Sequence, residues 1–180
     1  MSSVIIAGDT SGSITVAAPA AAGTNTITMP ASTGTMALTG DVDNVLNTYA
    51  TFVNSTEKVT VSATAATGTI NYDTNTQSVV YYTSAAVGDW TINFRASSGA
   101  TLNSVIATGE SITLVHLVTL TGAEYRNTVV QVDGSSITPE WQGGSAPTEG
   151  NINSIDSYAY TIIKTGDAAF TILAALTQFA

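Results

Sequence analysis

The sequence predicts an all-β protein: a small N-terminal strand module, a short connector, and an antiparallel jelly-roll-like β-sandwich. Three observations carry that expectation. Apolar residues alternate with Ser and Thr at period two in run after run, the pattern of half-buried strands. The runs are filled by β-branched and aromatic residues, and glycines fall between them. Only 9% of the 180 residues are charged, while Thr, Ser, Ala, Gly and Asn take the place of charge on the surface.

Residues 1–40 form the first module. Ile14, Val16 and Ala18 alternate with Ser13, Thr15 and Ala17, and Ile27 and Met29 alternate with Thr26 and Thr28. Gly12, Pro19, Gly23, Pro30 and Gly34 sit between these runs at turn positions. Strands this short, carrying only Ile, Val, Met and Leu, do not enclose a core alone. Their apolar faces call for cover from another domain or from copies of the chain. Candidate oligomer-interface residues are therefore Ile14, Val16, Ile27, Met29, Met36, Leu38, Val45 and Tyr49.

Residues 41–56 read as a connector. Val42, Val45/Leu46, Tyr49 and Phe52/Val53 follow the spacing of one helical face, with Asp41 as N-cap and Asp43 favouring the positive end of the dipole. Thr and Asn lower the propensity, and a helix of about three turns is marginal alone. The segment is either a helix that leans on a partner or a loop.

From residue 57 to 180 the pattern is strands. Val59, Val61 and Ala63 alternate with Thr60 and Ser62, and Ile70 and Tyr72 follow Gly68. Further runs are Val79–Tyr82, Trp90–Phe94, Ile112–Leu120, Tyr125–Val132, Tyr158–Ile163 and Phe170–Leu173. Short strands at this spacing suggest a sandwich of jelly-roll type. Trp90, Ile92 and Phe94 put three large side chains on one sheet face and are expected core. The Gly, Ser, Pro and Asn-rich stretch 139–155 is the longest break, a length that suggests a contact role.

Composition narrows the function classes. Thirteen carboxylates against Lys58, Arg95, Arg126 and Lys164 give a net charge of −9, a surface that nucleic-acid phosphates would repel. Without cysteine there are no disulfides and no thiolate zinc sites. Mean hydropathy is +0.25, yet the longest apolar stretch, Ile112 to Leu120, is broken by Thr113, His116 and Thr119 and falls short of the roughly 20 residues of a helical span. The N-terminus lacks the features of a signal peptide, so the chain is expected to be soluble, without membrane insertion.

Two stretches resemble known proteins. Gly12–Val16, Ala18-Pro19, Ala22–Pro30 and Thr33–Met36 resemble the short β-rich module of tail-fibre and other virion structural proteins of tailed bacteriophages. Trp141–Gly144, Ala146-Pro147, Gly150-Asn151, Ile155–Tyr158, Thr161–Gly166 and Phe170–Leu173 resemble the C-terminal region of structural proteins from marine, cyanophage-like viruses. The resemblance implies a non-enzymatic virion protein, of tail-fibre type and trimeric, on the tail or capsid exterior among other virion proteins. A capsid decoration or head-fibre protein is the alternative. A carbohydrate-binding or carbohydrate-degrading tailspike-like protein is the alternative from another class.

The candidate sites point the same way. His116, the single histidine, has no Cys or second His for a zinc site or a Cys–His pair, so a structural role is expected. Asp41-Val42-Asp43-Asn44 begins like a calcium loop, but Leu46 and Phe52 stand where an EF-hand needs Gly and Glu. Asp73, Asp89 and Asp133 lie in turn-like sequence, where side chain-to-backbone hydrogen bonds account for them. No catalytic residue, cofactor or metal is expected. Trp141, flanked by loop-forming residues, is the candidate for surface recognition of a host glycan; the competing reading is that its ring plugs one end of the sandwich.

Overall fold

The computed structural model describes residues 3–7, 13–17 and 56–180. The chain divides into two compact units, Met1–Phe52 and Val53–Ala180. In the first, β1 (Ser3–Ala7) and β2 (Ser13–Ala17) form an antiparallel hairpin whose register sets Val4 against Val16 and Ile6 against Ile14. Of the candidate interface residues, Ile14 and Val16 lie on β2; Ile27, Met29, Met36, Leu38, Val45 and Tyr49, and the helix considered for 41–53, lie outside the described residues.

The second unit is the all-β sandwich read from the sequence, two sheets packed face to face. The strands are β3 (Val59–Ala65), β4 (Gly68–Asp73), β5 (Val79–Ser84), β6 (Trp90–Arg95), β7 (Ser111–Leu120), β8 (Asn127–Val132), β9 (Ser135–Ser136), β10 (Glu140–Trp141), β11 (Ser154–Gly166) and β12 (Ala169–Phe179). The larger sheet has the order β10-β12-β11-β7-β5-β3 and the smaller β4-β6-β8-β9.

Pairing within these sheets is mixed, where a jelly roll would be antiparallel throughout. β3, β5 and β7 pair in parallel in the larger sheet, and β4, β6 and β8 pair in parallel in the smaller one. The chain crosses to the opposite sheet after each of β3 to β7, and after β8 it first stays in the same sheet, pairing back as β9. Parallel neighbours need a long crossover, and here that crossover is itself a strand of the facing sheet. β3–β8 therefore wind as three stacked coils, and only the later hairpin β11–β12 brings antiparallel pairing to the larger sheet. Period-two alternation reports which residues face inward but says nothing of strand direction, which is why sequence reading went astray on this point.

Stacking coils aligns like residues in ladders. In the smaller sheet Ile70, Ile92 and Val130 align, as do Asn71, Asn93 and Gln131, and Tyr72, Phe94 and Val132. Asn93 Nδ2 donates to Asn71 Oδ1 at 2.9 Å, and the Tyr72 and Phe94 rings lie 5.3 Å apart. Trp90, Ile92 and Phe94 are buried, as their alternation predicts. The two aromatic rings meet the larger sheet edge to face, Phe94 on Tyr160 at 5.1 Å and Trp90 on Tyr158 at 5.7 Å. Each such pair contributes about 0.5–1.5 kcal/mol beyond area burial.

Longer-range polar bonds fix the coils. At the β6–β8 bulge, Asn127 Nδ2 donates to the carbonyls of Trp90 and Val129, while Tyr160 Oη donates to Asn127 Oδ1. A helical turn, Leu102–Val105, is inserted between β6 and β7. Asp133 accepts from the backbone N–H groups of Leu102 and Asn103 at its start, and the buried Lys164 Nζ donates to the carbonyls of Asn103 and Ile106 at its end. Asp89 likewise accepts from Arg126 N–H, whereas Asp73 pairs with Arg95 Nε at 2.6 Å. These aspartates join distant segments, not their own turns.

Candidate functional site: the Trp141 cleft

The larger sheet has six strands and the smaller four. β12 and β10 extend the larger sheet, and the loop after β10 together with Glu124 forms the other wall of an open cleft of about 780 Å³. Leu176 and the exposed Gln178 of β12 contribute to it; they pair across from Tyr158 and Asp156 on β11.

The sequence builds the remaining walls locally. β10 runs parallel to β12, with Trp141 beside Ala174. Gly143 and Gly144 both have φ of +82°, a left-handed conformation that glycine takes without strain. The loop returns at Gly150, which is buried. A Cβ there would run into the Tyr125 carbonyl oxygen and Leu120 Cδ1, so this position admits no side chain without moving the loop.

One buried carboxylate holds the loop down. Asp156 Oδ2 accepts from Asn151 N–H at 3.2 Å and Oδ1 accepts from Ser154 Oγ, while Gln178 also bonds to it. Gly150 N–H donates to the Glu124 carbonyl at 3.0 Å. Burial pushes the Asp156 carboxyl above its ordinary value, and these three hydrogen bonds work against that rise.

Trp141 packs against the end of the core and also reaches the surface. It is half-buried, and its ring meets Tyr158 and Tyr160 edge to face at 6.4 and 6.3 Å, closing this end of the core. It also lines the cleft with Gln142, and the same two residues line a second hollow of about 420 Å³ bordered by Thr161 and Leu173. Polar side chains dominate the main cleft: the amides of Gln142, Asn151 and Gln178, the hydroxyls of Ser145 and Thr148, and the carboxylates of Glu124 and Glu149.

His116 lies elsewhere, in the core. It is fully buried among Tyr82, Trp90 and Tyr158, and neither ring nitrogen has a hydrogen-bond partner among the described residues. Loss of water pushes its pKa down to about 3, so the ring is neutral at physiological pH.

Sequence reading picked out Trp141 and missed Glu124, Asp156 and Gln178. Asp156 had a usable signal: it is in phase with Tyr158, Tyr160 and Ile162, all inward. Glu124 and Gln178 had none, because the fold brings together a loop residue before β8 and the far end of β12. The chain matches no protein-family model, no curated protein and no solved structure.

Proposed function

We propose that the chain is a non-enzymatic structural component of a tailed-phage virion: a homotrimer of tail-fibre type that attaches through its N-terminal module and displays the sandwich outward. One observation carries the assembly role. In β3, β5, β7, β11 and β12 the only Asp, Lys or His residues are Asp156, Lys164 and His116, and all three are buried. The opposite face of the same sheet carries Val59, Val61, Val79, Tyr81, Val115 and Leu117, then Thr, Ser, Ala and Ile positions of the terminal hairpin.

A sheet face in contact with water ordinarily alternates to polar and charged residues. Across β3, β5, β7, β11 and β12 this one is uncharged, with Val59 47% and Val61 65% exposed on its edge strand, and Glu140 of β10, beside Leu173, marks its far border. Edge strands in monomers are ordinarily guarded by charge or proline, and β3 has neither. Five strands about 4.8 Å apart and six residues at about 3.3 Å span roughly 500 Å², a large part of the 800 Å² per partner of a standard interface. On a chain of net charge −9, the five-strand part of this face, which lies away from Glu140 and carries no carboxylate, is where copies approach with least repulsion.

The phage assignment is supported by where the resemblance falls. Trp141–Gly144, Ala146-Pro147 and Gly150-Asn151 build the cleft wall, and the remaining C-terminal matches build β11 and β12. A capsid decoration or head-fibre protein would use the same parts. Antibody labelling of intact particles in electron cryo-microscopy tests both readings: label on the tail supports the first, label on the capsid the second, and none on the particle refutes both. Light scattering tests the trimer, which a mass of 18.4 kDa at micromolar concentration would exclude.

A further inference from the structure

We infer that the Trp141 cleft is a binding site for an uncharged oligosaccharide, with the indole as stacking platform and the surrounding amides as partners for sugar hydroxyls. Size is the first argument. A volume of about 780 Å³ lies within the range that holds small ligands.

Chemistry is the second. Gln142, Asn151 and Gln178 each offer a donor and an acceptor, which matches hydroxyls that are both. An apolar ligand would strip water from these amides without replacing its hydrogen bonds. An anionic ligand would meet Glu124 and Glu149 with no lysine or arginine in the lining to offset them. A pyranose has what the site asks for: an apolar C–H face for the indole and a rim of hydroxyls.

Preorganisation is the third. The wall is pinned at Gly150, which has no space for a side chain, and by Asp156, a buried carboxylate that ties down Asn151 and Gln178, both cleft residues. A wall held this way does not need ordering at the moment of binding, which reduces the entropic cost. The inference stands on the cleft alone, so absence of the chain from virions would overturn the proposed function and leave this site untouched.

The test is calorimetric and fluorescence titration of the full chain with maltohexaose, cellohexaose and chitohexaose, with hexagalacturonate and a Gly/Ser decapeptide as controls. At least one neutral hexaose should bind with Kd of about 1 mM or tighter. Its binding should shift tryptophan emission, a signal assigned to Trp141 because Trp90 is 1% exposed. Trp141→Ala should weaken binding at least about tenfold, equivalent to about 1.4 kcal/mol. Because Trp141 also packs on the core, Gln142→Ala, at an exposed position bordering both hollows, serves as the second variant and should weaken binding several-fold. Absence of binding by all three neutral probes at about 10 mM, affinity unchanged in both variants, or equal or tighter binding of hexagalacturonate or the peptide would each overturn the inference.

Discussion

Acid should destabilise this protein chiefly through one imidazole, and replacing His116 by leucine should remove that sensitivity. In the folded chain the ring is fully buried and its pKa is depressed to about 3, against 6.5 in an unfolded chain. Below pH 6.5 the unfolded chain takes up a proton that the folded chain refuses, so stability falls as pH falls. Each unit costs about 1.4 kcal/mol until the folded value is approached, giving about 2.7 kcal/mol at pH 4.5 and nearly 5 kcal/mol in all. Asp156 works in the opposite direction. Its folded pKa is raised, so its contribution to stability grows as pH falls from that raised value toward 3.8. That contribution is common to both proteins and cancels in their difference.

At pH 7 the leucine variant should lie within about 1 kcal/mol of the parent. It removes two ring nitrogens without partners, a gain of about 1–2 kcal/mol, and loses the edge-to-face contacts with Tyr82 and Trp90, worth about 0.5–1.5 kcal/mol each. Urea unfolding of both proteins at pH 7, 5.5 and 4.5 should then show the difference shift by about 2.7 kcal/mol in favour of His116→Leu. The chain has a single histidine, so its ring-proton NMR signal is unambiguous and should not titrate between pH 7.5 and 4.5. A pH-independent stability difference, or a midpoint near 6.5, would refute the reasoning.

Three further outcomes follow from particular contacts. Val61→Lys, at a 65% exposed edge position, should leave urea stability within about 0.5 kcal/mol of the parent yet lower the mass seen by light scattering toward 18.4 kDa. Gly150→Ala should cost about 1–3 kcal/mol in urea unfolding, because its Cβ collides with Leu120 and the Tyr125 carbonyl. Lys164→Met should cost about 1.5–3 kcal/mol by the same assay, since it removes a charged donor from the carbonyls of Asn103 and Ile106 and leaves them inside.

The eight main strands of the sandwich were legible because each carries its own alternation, and so were the core roles of Trp90, Ile92 and Phe94. His116 was legible as structural because it has no Cys or second His to work with, and the structure places it in the core, in phase with the buried Leu114 and Val118. Strand direction was not, because a strand of Val, Thr and Ala at period two pairs equally well either way. What sets direction here is connection. Thr67 and Gly68 carry the chain from one sheet to the other without a hairpin, and nothing in their identity separates that corner from a hairpin turn.

Phase also explains why the cleft and the uncharged face come from a single rule read in opposite senses. Along β11 the even positions Asp156, Tyr158, Tyr160, Ile162 and Lys164 turn inward, and the odd positions Ile155, Ser157, Ala159, Thr161 and Ile163 turn outward. An ordinary solvent-facing strand would place the two ionisable residues on the odd set. Here burial is tolerable because each has hydrogen-bond partners: Asp156 holds the loop behind the cleft and Lys164 holds the helical turn. The inward charges thus fix the loops at the two ends of β11, and the outward face is left smooth and uncharged along its length. Moving one charge outward, as in Thr161→Lys, changes only the face. Such a variant should keep its fold, and if the sheet packs on other copies it should also lose assembly.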